Sequence, residues 1–180
     1  MTGQLFIVVG PSGAGKDTLL AGAIAADPSL HWARRVITRP ETAGGEPFEG
    51  VDAPTFQHRL LAGDFALHWQ AHGLQYGVPR LQLALLDVGR AVLVNGSRAA
   101  LPAAQTAFPN LIVICISAPP AVLALRLAAR GRESAQDISA RLKRASYDLP
   151  GGLQVIDVAN DSTPAVGIQR LLCAIHAVRG

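Results

Sequence analysis

Lysine is nearly absent from this chain of 180 residues: of sixteen basic residues only Lys16 and Lys143 are lysines, and the rest are arginines. No dense Lys/Arg run with interleaved aromatics occurs, so the net charge of +3 does not argue for a nucleic-acid partner. Cysteine is almost as scarce. Cys115 and Cys173 stand far apart in apolar stretches, which excludes a CxxC pair and a metal-ligand spacing and leaves two buried free thiols as the expectation. Aromatic residues make up only 5% of the chain, so any core must be packed on Ala, Leu and Val. No apolar run approaches the roughly 20 residues of a membrane helix. The segment Met1-Thr2-Gly3-Gln4 has neither the charged start nor the apolar stretch of a leader, so the expectation is a cytoplasmic protein with no membrane partner.

What is present is patterned. Short apolar runs at 5–9, 91–94, 111–116 and 155–159 are rich in Val and Ile and nearly continuous, as strands buried on both faces of a parallel sheet are. A fifth, at 33–37, is flanked by arginines. Helix-like stretches alternate with them at 16–26, 79–88, 101–107, 121–130, 135–146 and 164–178. Such alternation predicts a three-layer α/β fold with right-handed crossovers, built as one domain over 1–180. Gly131 suits the close of one helix, and Ser134 with Asp137 resembles the capping box of the next. The stretch 39–56, rich in Gly, Pro and Glu, reads as a long connection.

Gly10-Pro11-Ser12-Gly13-Ala14-Gly15-Lys16 matches Gly-x4-Gly-Lys between a predicted strand and a predicted helix, which is the context a phosphate-binding loop requires. Its glycines let successive N–H groups turn toward phosphates, the helix start adds a positive dipole end, and Lys16 neutralises charge that moves during transfer. ATP is therefore the expected donor, with magnesium. The position after Lys16 usually carries a hydroxyl; here it is Asp17, followed by Thr18. The run at 91–94 ends in Asn95, where a magnesium-organising carboxylate is common. Either Asp17 supplies the carboxylate that this strand end lacks, or it stabilises the first turn of the helix through the dipole.

In such a fold the acceptor lies where the following segments converge on the carboxyl ends of the strands. Three clusters point there: Arg35 and Arg39; Trp69, His72 and Tyr76 with turn-permissive Gly73 and Gly77; and Asn95-Gly96-Ser97-Arg98. Residues 33–80 form the expected acceptor region. Arginines 126, 130 and 132, with 141 and 144 beyond, either form a lid at 126–146, with Arg130 and Arg132 closing over the donor, or belong to two charged surface helices. The arginine excess itself suits phosphate ligands, although a G+C-rich genome would produce the same bias. Asn160, after the last run, is a candidate adenine contact.

Over nearly its whole length the chain resembles the guanylate-kinase-like branch of P-loop kinases. Within that branch it is most similar to the ribose 1,5-bisphosphate phosphokinases of phosphonate catabolism. The residues that carry this are the Gly10–Asp17 loop, Ile37-Thr38-Arg39, His72-Gly73-Leu74-Gln75-Tyr76-Gly77, Leu93-Val94-Asn95-Gly96-Ser97-Arg98, and the segment from Arg126 to Glu133. The resemblance implies a five-stranded parallel sheet with mobile acceptor and lid regions. It also implies transfer from ATP to the 1-phosphate of ribose 1,5-bisphosphate, giving phosphoribosyl diphosphate (PRPP). Guanylate kinases carry Asp-x-Asp-x-Gln-Gly where this chain has Asn95-Gly96-Ser97-Arg98. Of their Gly-Glu-x-x-Gly-x-x-Tyr clamp only Gly45 and Glu46 match in register. The rival expectations are a guanylate or other nucleoside monophosphate kinase and, from a different class, a catalytically silent interaction module.

Overall fold

The computed structural model describes residues 3–43, 45–129 and 149–180. Five parallel strands form the main sheet: β1 (Gln4–Val9), β2 (Leu30–Trp32), β7 (Ala91–Asn95), β8 (Ile112–Ser117) and β9 (Gln154–Ala159), in the order β2-β7-β1-β8-β9. β1 lies at the centre, paired with β7 and β8. Its residues alternate between two cores, as strand geometry requires. Phe6 and Val8 pack with Leu19, Leu20 and Ala23 of α1 (Lys16–Ala26) and with Leu171 and Ile175 of the C-terminal helix (Pro164–Arg179). Leu5, Ile7 and Val9 face the other way, onto Leu101 and Ala104 of α4 (Leu101–Ala107) and onto a second sheet. A β1 residue moved by one position would exchange these environments, so the apolar pattern fixes the register.

The second sheet has the order β4-β3-β6-β5 and was not legible as a sheet. It comprises β3 (Arg35–Ile37), β4 (Phe48–Gly50), β5 (Phe65–Ala71) and β6 (Leu74–Pro79). The expected strand at 33–37 is thus a correction. The fifth strand of the main sheet lies upstream at Leu30–Trp32, the chain turns after Ala33, and Arg35–Ile37 departs into the second sheet. An edge strand needs few apolar residues, and β2 offers only Leu30 and Trp32. The expected connection at 39–56 likewise contains a single 3-10 turn (Glu41–Ala43), β4 and the start of α2 (Ala53–Leu61). Asp52 caps that helix by accepting from the Thr55 amide at 2.8 Å. Phe56 then stacks on Phe65, ring centroids 4.8 Å apart, and closes a small core with Val36.

β5 and β6 form a hairpin whose two turn residues, His72 (φ 54°) and Gly73 (φ 75°), both have positive φ. That is the turn geometry that matches strand twist. The expected helix at 79–88 is shorter, α3 (Arg80–Leu83) followed by a 3-10 turn at Ala84–Leu86. α4 has the expected bounds, α5 spans Pro120–Ala129, and the C-terminal helix, α6, spans Pro164–Arg179. Expectations resting on Gly131, Ser134, Asp137 and the helix at 135–146 fall outside the described residues. Both cysteines are free, but Cys115 is only half-buried and Cys173 is exposed, which corrects the expectation of two buried thiols. No described helix is long and apolar enough to cross a membrane.

α1 and α6 are clasped where α1 ends. Asp27 accepts from the Ser29 amide at 2.9 Å and meets His176 Nε2 of α6 at 2.9 Å. These hydrogen bonds, that with Ser29 first, lower the Asp27 carboxyl to about 2 from its ordinary 3.8. A carboxyl lowered by folding stabilises above its unfolded value and loses that contribution as pH falls through its folded value. Asp27→Asn should therefore cost up to about 1 kcal/mol at pH 7, since its partner His176 is exposed to solvent. Urea titrations of both proteins should show the gap closing as pH falls from about 4 toward 2. A gap that persists unchanged to the acid end would contradict this account.

Candidate active site

β1 delivers its last residue, Val9, into the glycine-rich loop, and α1 begins at Lys16. Gly15 precedes the helix with φ 88°, and a Cβ there would stand 2.5 Å from Nδ2 of Asn160. Glycine is required at that position on both counts. Lys16 arches back over the loop, its Nζ donating to the carbonyls of Gly10 at 2.9 Å and Pro11 at 3.3 Å. Behind the loop sits Asn160, buried immediately after β9, with Nδ2 on the Ala14 carbonyl at 2.7 Å. Its own backbone amide donates to Ser117 at 2.7 Å. Asn160 therefore braces the loop from inside the protein, and its side chain is not among those lining the cavity in front of the loop. Ala14 is also buried, its side chain in the core beside Leu123.

In front of the loop opens a cavity of about 310 Å³. Its donor wall holds Gly10, Pro11, Ser12, Gly13, Gly15, Lys16, Asp17 and Thr18. The facing wall holds Arg35, Arg39, His72, Tyr76, Asn95, Ser97 and Arg98, so side chains from β3, the hairpin and the end of β7 meet in one space. Asn95, buried at the end of β7, donates through Nδ2 to Oδ1 of Asp17 at 2.8 Å. The two residues linked in the sequence as an exchanged pair are thus in direct contact. Gly96 lets the chain press onto β1, for a Cβ there would meet Ile7 Cγ2 at 2.4 Å. Ser97 then caps the 3-10 turn at Arg98–Ala100 through the Ala99 amide.

The lining also includes Trp69 and Gly96 from the expected acceptor clusters, Ala71, and Glu46, which the sequence showed only as a remnant of the guanylate kinase clamp. Trp69 stacks on Tyr76 across the hairpin, centroids 5.4 Å apart and planes within 3°. Arg35 lies over both rings, 5.6 Å and 5.0 Å from their centroids. Its Nε donates to Glu46 Oε2 at 3.0 Å and its Nη2 to the other carboxylate oxygen. Burial pulls the guanidinium down to about 10, which leaves it charged at neutral pH. Arg35 lines the acceptor side of the cavity, as expected of its cluster, with its fork held by Glu46. The signal available in the sequence was the strand leaving through Arg35 and, eleven residues on, Glu46, one of three glutamates in the Gly/Pro-rich segment that follows.

Arg39 lies against the Phe48 ring at 4.3 Å. Arg126 of α5 reaches the Ala14 carbonyl at 3.5 Å. Arg130, Arg132, Arg141 and Arg144, expected in a lid, lie outside the described residues. Cys115 on β8 is raised above the usual thiol range, by burial first and then by Asp157 opposite it on β9.

The chain is 49% identical over 178 residues to a ribose 1,5-bisphosphate phosphokinase of Ruegeria sp. (strain TM1040), covering 98% of this chain and 94% of that relative. It is equally, 49%, identical over 179 residues to a bifunctional ribose 1,5-bisphosphokinase-thymidine phosphorylase of Azorhizobium caulinodans, of which it spans 26%. Among solved structures it is similar to a guanylate kinase from Anaplasma phagocytophilum, with TM-score 0.68 and 20% identity, covering 98% of this chain and 86% of that one. A gluconokinase from Sinorhizobium meliloti 1021 aligns with TM-score 0.57 and 16% identity, over 98% of this chain and 93% of that one. At such identities the structures speak for the fold alone, a P-loop fold of the guanylate kinase kind. No family model matches the chain.

The Asn160 brace has a measurable consequence. Asn160→Ala removes the closer partner of the Ala14 carbonyl and leaves it only the long contact from Arg126, which should lower stability by about 1–3 kcal/mol and loosen the loop. A thermal melt should fall together with affinity for a fluorescent ATP analogue. Loss of affinity with an unchanged melt would mean that Asn160 touches the nucleotide after all.

Proposed function

The chain belongs to the ribose 1,5-bisphosphate phosphokinase family, and we propose that it transfers the γ-phosphoryl group of ATP to the 1-phosphate of ribose 1,5-bisphosphate. The products are 5-phospho-α-D-ribose 1-diphosphate and ADP. The observation that carries this reading is the single cavity in which a complete phosphate loop faces Arg39, Tyr76, Asn95, Ser97 and Arg98. The near-full-length relative from Ruegeria supports the choice of acceptor.

In this reading the loop amides from Gly10 to Gly15 and the Lys16 ammonium hold the β- and γ-phosphates of ATP. Arg39, Tyr76 and Arg98 hold the acceptor phosphates, and Asn95 and Ser97 face its hydroxyls. His72, raised over the cavity by the hairpin turn, belongs to the acceptor side, and residues 33–80 form the acceptor region of one domain over 1–180. Asp17 suits a magnesium ion, because its carboxylate lines the phosphate cavity and Asn95 fixes one of its oxygens. One carboxylate together with substrate phosphates is an ordinary magnesium donor set. Among the described residues there is no cluster of three or more His, Cys, Asp or Glu that would hold a metal without the nucleotide. When bound, magnesium supplies positive charge to the β- and γ-oxygens.

An oxygen of the 1-phosphate attacks the γ-phosphorus, the bond from that phosphorus to the β-bridging oxygen breaks, and ADP leaves with the bonding pair. The acceptor oxygen is already anionic, so no side chain has to remove a proton. Catalysis then consists of alignment and charge neutralisation, to which Lys16 contributes most as charge moves toward the bridging oxygen. A guanine acceptor would find Asn95-Gly96-Ser97-Arg98 at the strand end where a carboxylate reader would serve it. An unmatched buried donor costs about 1–3 kcal/mol.

Equal concentrations of ribose 1,5-bisphosphate and GMP, each with ATP and magnesium, test this. ADP release should be fast with the bisphosphate and far slower with GMP, and Arg98→Ala should lose most activity on the bisphosphate. Faster turnover of GMP would make the protein a guanylate kinase and overturn the reading.

A further inference from the structure

Base recognition on an aromatic platform needs an open ring face. Here a stacked pair, Trp69 and Tyr76, lines the acceptor side of the cavity, and the Arg35 guanidinium lies over both rings. Arg35 could not stay there alone, because it is almost wholly removed from water. Glu46, equally buried, takes the guanidinium on both of its oxygens. The geometry points to the Arg35–Glu46 pair as the element that selects a sugar phosphate against a nucleotide acceptor. Arg35 covers the surface on which a base would stack, and Glu46 is the positioning residue that holds it there.

Three observations converge on this assignment. The planar guanidinium meets an aromatic face much as a base would, so the two compete for the same area. Bidentate pairing fixes the plane as well as the charge, which a single contact would not do. A buried ion pair is no efficient source of stability, yet this one sits at a cavity wall rather than deep in a core. Internal neutralisation has a second effect: Arg35 adds no unbalanced positive charge to the cavity wall. The inference rests on the reading of the cavity as a phosphotransfer site and adds a cause for its selectivity.

The test replaces both partners together, Arg35→Ala with Glu46→Gln, so that neither charge is left buried alone. GMP binding is measured by calorimetry with the phosphate loop saturated by a non-hydrolysable ATP analogue, after a circular-dichroism melt establishes folding. Opening the ring face should tighten GMP by about tenfold or more, the worth of one stacked base. The ratio of kcat/KM for ribose 1,5-bisphosphate to that for GMP should fall correspondingly. If the double variant does not fold, Arg35→Lys keeps the ion pair but loses the plane, and GMP should tighten in it to a smaller extent. Unchanged GMP affinity and an unchanged ratio in a folded variant would overturn the proposal. Wild-type protein that made no diphosphate from the bisphosphate would instead remove the proposed reaction, while the GMP comparison would still decide the role of the pair.

Discussion

Everything in the site depends on how the glycine-rich loop is held. Its amides can present a common surface to phosphates only if the intervening carbonyls are held elsewhere. Lys16 takes two of them and the buried Asn160 takes that of Ala14. The fit behind the loop is close: Gly15 and Gly167 both lack room for a side chain because Asn160 stands 2.5 Å and 2.7 Å from where a Cβ would be. The loop is thus a rigid joint between the central strand β1 and α1, and the last strand of the sheet, through Asn160, reaches back to lock the first turn after β1.

A second constraint is charge. Among the described residues the cavity is lined by Lys16, Arg35, Arg39 and Arg98 with Asp17 and Glu46 as its carboxylates, and each carboxylate has a defined partner. Asp17 is oriented by the neutral amide of Asn95, so its charge stays available beside the loop. Glu46 is consumed by Arg35, so that pair contributes shape instead of field. Cationic side chains thus line both sides where phosphates are proposed to lie, which suits the alignment of two anionic reactants.

The chain showed its central architecture plainly. Strands β1, β7, β8 and β9 are apolar along most of their length, and their bounds lie within about one residue of those read from periodicity. The phosphate loop was readable because glycine spacing and flanking elements are local properties. What lay hidden depends on pairing between distant segments. β2 is a sheet edge with little apolar content, and β5 and β6 are half-polar strands whose hairpin showed only as Gly73 and Gly77. Arg35 illustrates the limit best. Its proximity to ligands was foreseeable, but its capture by Glu46 and its seat over Trp69 and Tyr76 require the second sheet to be assembled. Asn160 was noticed for its position after β9, but its grip on the Ala14 carbonyl shows only once the packing behind the loop is assembled.

The central claim is that one cavity aligns the γ-phosphate of ATP with a phosphate, not a hydroxyl or water, of a sugar acceptor. A ³¹P NMR time course of the protein with magnesium, ATP and ribose 1,5-bisphosphate reads this directly, since it reports which P–O bond is made. The account predicts a pair of coupled diphosphate resonances growing in step with ADP while the 5-phosphate signal is retained. ADP accompanied by inorganic phosphate, or no new diphosphate at all, would contradict it.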